Sequence, residues 1–250
     1  MIIIKSDQEI ELMRTAGKVT GLVLKELENV IKPGISTADI DKFVEDTIRS
    51  HGMIPSFKGL YDFPASACIS INEEVVHGIP DKKRILKEGD IVSVDVGSTY
   101  KGYCSDAART YAVGQISETA QKLIDATRDS FFAGMEFCKV GYRLSDVSHA
   151  IQQKAEGEGF SVIRDFVGHG IGQDMHEDPQ IPNYGKPGRG PRLVKGMVFA
   201  IEPMICEGGY EVKTLSNRWT VVTTDGKLSA HYENTVVITD GEPELLTLAY

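Results

Sequence analysis

The sequence predicts an α+β fold in which two pseudo-symmetric halves contribute strands to one curved, mostly antiparallel sheet, with the helices on its outer side. Two observations carry this. Sliding the chain against itself by 107 residues sets Lys32 over Lys139, Gly34 over Gly141 and Asp39 over Asp146. The same shift sets "KEGDIVSVD" (87–95) over "VKGMVFAIE" (194–202), so Asp95 falls on Glu202. In addition, each half offers a pair of amphipathic helical stretches followed by β-rich runs. At 250 residues the chain can bury a large core, and we read 1–250 as a single domain with halves of roughly 1–110 and 111–250.

The elements follow in order. Ser6 and Glu9 in "SDQE" form a capping-box signature that opens a helix through Ile10, Met13, Leu24 and Leu27, stopping at Pro33-Gly34. A second helix runs from about Ser36 to Arg49, with Ile40, Phe43, Val44 and Ile48 on one face. The second half repeats the pair at about Ser117 to Cys138 and Ser145 to Glu158. Strand-like runs are "IVSVDVG" (91–97), "RTYAVG" (109–114), "MVFAIEPMI" (197–205), "WTVVTTD" (219–225) and "NTVVIT" (234–239). The seam between the halves is the natural place for a site.

Composition narrows the class. Hydrophobic residues make up 41% and charged residues 25%, and no apolar run is long enough to span a bilayer. The opening "MIIIKSDQE" is too short for a signal peptide. Cys68, Cys104, Cys138 and Cys206 form no C-x-x-C pair, which argues against structural zinc and a disulfide framework and for a reducing, cytoplasmic setting. The net charge of −9 disfavours nucleic acid as a partner.

The chemistry lies in the acids and histidines. "GHGIGQDMHEDP" (168–179) sets His169 and His176 seven apart, which excludes the four-residue spacing of a zinc-protease helix. Its three glycines make it a loop or irregular strand. Alternation puts Asp95 on one face of a strand whose other face is Val92, Val94 and Val96. Asp106 follows across a plausible hairpin, Glu202 closes "MVFAIE", and Glu233 precedes "NTVVIT". Single acids at strand edges are ordinary, but four at such positions, with only Arg109 nearby, need compensation. A hard divalent ion, Mn, Fe or Co with Zn also suitable, supplies it, and four negative charges suit two ions. Glu202 and Asp106 are placed to bridge such a pair, with Asp95 and one of His169 or Glu233 at the outer ends.

The ordered set Asp95, Asp106, His169, Glu202 and Glu233 resembles the metal ligands of the methionine aminopeptidases, and along almost the whole chain the bacterial type I branch. "SINEEVVHGIP", "GDIVSVDVG", "GHGIG" with "HEDP", "FAIEP" and "YENTVVIT" carry the likeness. The resemblance implies the pita-bread fold, a centre of two divalent metal ions, and hydrolytic removal of the initiator methionine from nascent chains whose second residue is small. It makes His169 the sole imidazole ligand, His176 a donor beside the scissile carbonyl, and His77 the other active-site histidine. Glu202 is the expected proton shuttle. The implied methionine pocket is walled by Phe57, Leu60, Phe63, Cys68, Met175 and Trp219.

The chain departs from the family pattern at Phe57 (cysteine is common there), Leu60 and Phe63 (tyrosines), Met175 (phenylalanine) and His231 (glutamine). His231, two residues before Glu233, stands open between a structural histidine and a site contact. Expected partners are nascent N-termini and, transiently, the ribosome, with no membrane and a monomeric state. The rivals are proline-cleaving enzymes of the same fold, which usually carry a large extra N-terminal domain, and a non-catalytic binding protein, which would have eroded ligands.

Overall fold

In the computed structural model, which describes residues 1–248, each half contributes a helix pair. These are α1 (Asp7–Val30) with α2 (Thr37–Ser50), and α3 (Glu118–Met135) with α4 (Leu144–Gly157). The capping box forms as read: Ser6 N–H donates to Glu9 Oε2 at 2.7 Å and Glu9 N–H to Ser6 Oγ at 3.4 Å. The Ser36 and Ser117 hydroxyls accept from the Asp39 and Ala120 amides, each at 3.1 Å, and so cap α2 and α3. Two ends differ from expectation. Arg143 takes the cap position of α4, its N–H held by Asp146 Oδ2 at 2.8 Å, because the Ser145 hydroxyl donates instead to the Arg189 carbonyl at 2.9 Å. α3 stops at Met135, ahead of Cys138.

The longest strands, Ile91–Tyr100 and Tyr103–Ala112, form a hairpin. Lys101 and Gly102 turn it with φ of 47° and 84°, the left-handed pair that matches strand twist. Asp95 lies opposite Ala108, and Gly97 opposite Asp106. Residues two apart share a face, so both carboxylates emerge on the same side of the hairpin. Val92, Val94 and Val96 point the other way into a core with Val23 and Leu27 of α1 and Ile40 and Val44 of α2. Each fully buried valine there contributes about 2 kcal/mol of transfer free energy. In the second half, strands Gly168–Gly170, Val198–Ile201 and Asn234–Val237 are neighbours, and Phe199, Ile201 and Val236 pack with Phe131, Val147 and Ile151 of α3 and α4.

The halves meet where the acids are. Glu233 N–H donates to the Ala108 carbonyl at 3.0 Å, and Ala108 N–H to the Glu233 carbonyl at 3.4 Å. The Thr235 hydroxyl accepts from Asp106 N–H at 2.9 Å and donates to the Asp106 carbonyl at 2.8 Å. Every strand pairing among the described residues is antiparallel. The single expected layer is divided into four hydrogen-bonded sheets. Pro203, which has no N–H, splits the run "MVFAIEPMI" into Val198–Ile201 and Met204–Cys206, and the two pieces pair with different strands. "WTVVTTD" is strand only over Val221–Thr223, where the register shifts. No helix among the described residues is long and apolar enough to cross a membrane.

Candidate metal centre and active site

Five sequence-predicted ligands converge. Asp95 and Asp106 come from the hairpin, His169 from the strand Gly168–Gly170, Glu202 from the break at Pro203, and Glu233 from the residues between Ser229–His231 and Asn234–Val237. His169 Nε2 lies 3.4 Å from Glu202 Oε1 and 3.7 Å from Asp106 Oδ2. Its Nδ1 makes a 2.9 Å bond to the Gly170 carbonyl, which can only accept, so Nδ1 carries the proton and Nε2 keeps a free lone pair. Gly168 and Gly170 allow this strand its position: a side chain at Gly168 would meet the Ala200 carbonyl, and one at Gly170 the Asp178 carbonyl.

Ligand atoms of Asp106, His169 and Glu233 all lie within 4.8 Å of one another, and so do those of Asp95, His231 and Glu233. Glu233 is therefore the carboxylate common to both groups; Glu202, expected with Asp106 between the two ions, is in neither. Glu202 instead faces the two imidazoles, His169 and His231.

The electrostatics fit a cation. Burial pushes Asp95 up to about 7. Burial, and then repulsion from Glu233 and Asp95, holds Asp106 well above the carboxylate range. Glu202 and Glu233 are raised the same way, by burial first and neighbouring carboxylates second. Burial also pushes His169 and His77 down to about 4, assisted by His176, and His231 down to about 3, so these rings are neutral near pH 7. Asp95 Oδ1, Asp106 Oδ1, Glu233 Oε1 and His231 Nε2 are buried with no hydrogen-bond partner among the described residues. Buried polar atoms left unpaired together, all of them electron-pair donors, are what a divalent ion satisfies. The cluster is compatible with divalent metal binding.

It opens into a cavity of about 540 Å³. Phe57, Leu60, Phe63, Cys68, His77, His176 and Trp219 line it as expected. Met175 is not among the lining residues; it is buried in the apolar cluster that holds Phe57, beside the bare Cα of Gly97, where a Cβ would lie 2.9 Å from Met175 Cε and from Phe57 Cε1. Trp219 meets Phe63 edge-on at 5.0 Å and His77 at 6.2 Å. His77 has φ of 60°, uncommon for a side chain this large, which turns its ring toward Phe166. His176 packs its ring against His169 at 4.5 Å, and Tyr61 stacks on His176 at 5.7 Å.

Sequence reasoning missed Tyr61, Phe166, Gln180 and the acids Glu177 and Asp178, all of which line the cavity. Glu177 is held by Lys5 in a buried ion pair, and Asp178 by the Met1 ammonium. Only the proximity of "HEDP" to the histidines pointed to the acids, and no periodicity pointed to Tyr61.

Residues 11–240 match the model of metallopeptidase family M24, and the chain belongs to that family. More narrowly, the chain is similar over its full length to methionine aminopeptidases. It is 62% identical to the methionine aminopeptidase of Clostridium acetobutylicum over 99% of both chains. It is 53% identical to methionine aminopeptidase 1 of Bacillus subtilis, again over 99% of both. The crystal structure of methionine aminopeptidase from Thermotoga maritima superimposes with a TM-score of 0.98 at 48% identity, covering 99% of this chain and all of that one. Prolidase from Pyrococcus furiosus, at 22% identity and a TM-score of 0.79, shares the fold, and the match spans 66% of that longer chain. The pita-bread expectation holds.

Proposed function

We propose that this chain is a metal-dependent aminopeptidase that removes the initiator methionine from nascent proteins and peptides when the second residue is small. The observation that carries this is the floor of the apolar cavity, where Asp95, Asp106 and Glu233, each with a buried oxygen that has no hydrogen-bond partner among the described residues, line a space of about 540 Å³ walled by Phe63, Trp219 and Cys68. A thioether packs well against aromatic rings and sulfur. Residues 1–250 act as one catalytic domain of two halves. Asp95, Asp106, His169, Glu202 and Glu233 would hold two divalent ions, Mn, Fe or Co, with Zn also fitting the donor set. When bound, such a pair supplies Lewis acidity and a water acidic enough to lose its proton near neutral pH.

The protein's own groups do the rest. Glu202 takes the proton of the attacking water and passes it to the leaving amine; its raised affinity for protons, from burial, suits the exchange. His176 and His77, both lining the cavity, donate hydrogen bonds to the carbonyl oxygen as negative charge builds on it. The substrate's free amine is held on the Asp95 and Asp106 side, which makes an unblocked N-terminus a requirement. The reading includes a cytoplasmic monomer acting on chains as they leave the ribosome.

The test is release of free methionine from Met-Ala-Ser, Met-Lys-Ser and acetyl-Met-Ala-Ser by metal-supplemented protein. Cleavage of Met-Ala-Ser alone is expected. Cleavage of the acetylated peptide, or of an Ala-Pro peptide in preference, overturns the reading.

A further inference from the structure

His231 has the geometry of a ligand. We infer that it is a second imidazole donor in the centre, on the side formed by Asp95 and Glu233, giving the site six protein ligands with two histidines. The inference rests on the reading of the cluster as a metal centre and adds to it.

The His231 ring is 2% exposed, and Nε2 is buried with no hydrogen-bond partner among the described residues. A structural histidine in a core is expected to bond both ring nitrogens, because a stranded buried polar atom has lost its water without regaining a partner. The candidates to satisfy Nε2 are Glu233 Oε2 at 3.7 Å and Glu202 Oε2 at 3.8 Å. Both are too far for a hydrogen bond, which needs about 2.7–3.2 Å.

The distances do suit donors to a common ion. Two ligands each about 2.1 Å from one ion lie about 3 Å apart at a right angle and about 4.2 Å apart when opposite. The His231 separations fall inside that interval, and so do those of His169, at 3.4 and 3.7 Å from its own two carboxylates. The two imidazoles stand in the same relation to the acids, one in each group of three that share Glu233.

The position is also held rigidly. His231 N–H donates to the Thr110 hydroxyl at 2.8 Å, that hydroxyl donates to the His231 carbonyl at 2.9 Å, and His231 pairs with Met204 across the strands. A fixed backbone with an unspent lone pair is the preorganisation a ligand needs. The chemical consequence is a donor set richer in nitrogen, which favours Fe, Co and Zn over Mn at that ion.

The experiment counts coordinated imidazoles in Co-loaded protein by proton NMR, where each coordinated ring contributes one strongly shifted, exchangeable N–H signal. Two such signals are expected in the wild-type protein and one in His231→Gln, whose second Co ion should bind tenfold or more weaker while the first is unchanged. Mn binding should change less. One signal in both proteins overturns the inference, even with weakened affinity, since His231 would then only steady a carboxylate. No uptake of Co and no shifted signal in the wild type would overturn the metal reading beneath it, a different result from the failure of His231 alone. The wild-type count stands whether or not the variant folds.

Discussion

Removing the metal is expected to make the stability of this protein fall as pH rises above about 6.5. Asp106, Glu202 and Glu233 are held well above the carboxylate range and Asp95 near 7, so the metal-free fold keeps protons that the unfolded chain has lost. A group whose pKa is raised by folding contributes stability below its unfolded value and loses it as pH rises through the folded one. The buried histidines work in the opposite sense. Their folded values lie near 4 for His77 and His169 and near 3 for His231, below the ordinary 6.5, so their contribution is complete above pH 6.5 and is lost only toward acid. Above pH 6.5 the carboxyls therefore act alone.

Each retained proton gives a slope of about 1.4 kcal/mol per pH unit, and three give up to about 4 kcal/mol per unit. Against a typical total of about 5–15 kcal/mol, a falling slope of this size is a large loss for the metal-free protein. The assay is the urea midpoint in half-unit steps from pH 6.5 to 8.5, with chelator and with metal. The midpoint should fall steeply in chelator and stay nearly level with metal, where the ligand carboxylates are ionised in both states. Asp106→Asn should flatten the chelator slope, by at most about 1.4 kcal/mol per unit. A metal-free midpoint that is level or rising over this range refutes the reasoning.

Further outcomes concern single side chains. Glu202→Gln should fold normally yet lose about 10²–10⁴ in kcat toward Met-Ala-Ser with little change in KM, measured by methionine release. Trp219→Ala removes the ring that meets Phe63 and His77, about 2 kcal/mol of burial and aromatic contact, so kcat/KM for the same peptide should drop about 30-fold, mostly through KM. Lys5→Met strands the buried Glu177 carboxylate and should cost about 3–5 kcal/mol by thermal denaturation, while Lys5→Met with Glu177→Gln should recover most of it.

Much of this site is legible in the sequence because it depends on short-range rules. Alternation along "IVSVDVG" places Asp95 opposite the valine face, and the hairpin turn at Lys101-Gly102 brings Asp106 to the same side. The caps at Ser6, Ser36 and Ser117 are equally local. What escapes the sequence depends on how the halves meet. Glu233 becomes the shared carboxylate only through its backbone bonds to Ala108 in the other half, and no local pattern encodes that register. Met175 reads as a pocket wall from its place in the motif, but beside Gly97 it is buried in the apolar cluster with Phe57. Tyr61 reaches His176 from a left-handed backbone, φ 49°, in a segment without periodicity. The role of His231 stays open in the sequence because alternation gives its strand face but not its distance from acids on other strands.

The central claim is that the buried acids and imidazoles at the seam hold divalent metal that powers removal of methionine. Its most direct test is the initial rate of methionine release from Met-Ala-Ser by metal-free protein as Co or Mn is added in steps. The account predicts no release without metal and a rise that saturates as the site fills. Full activity in the presence of chelator, or none at any metal concentration with the protein folded, contradicts it.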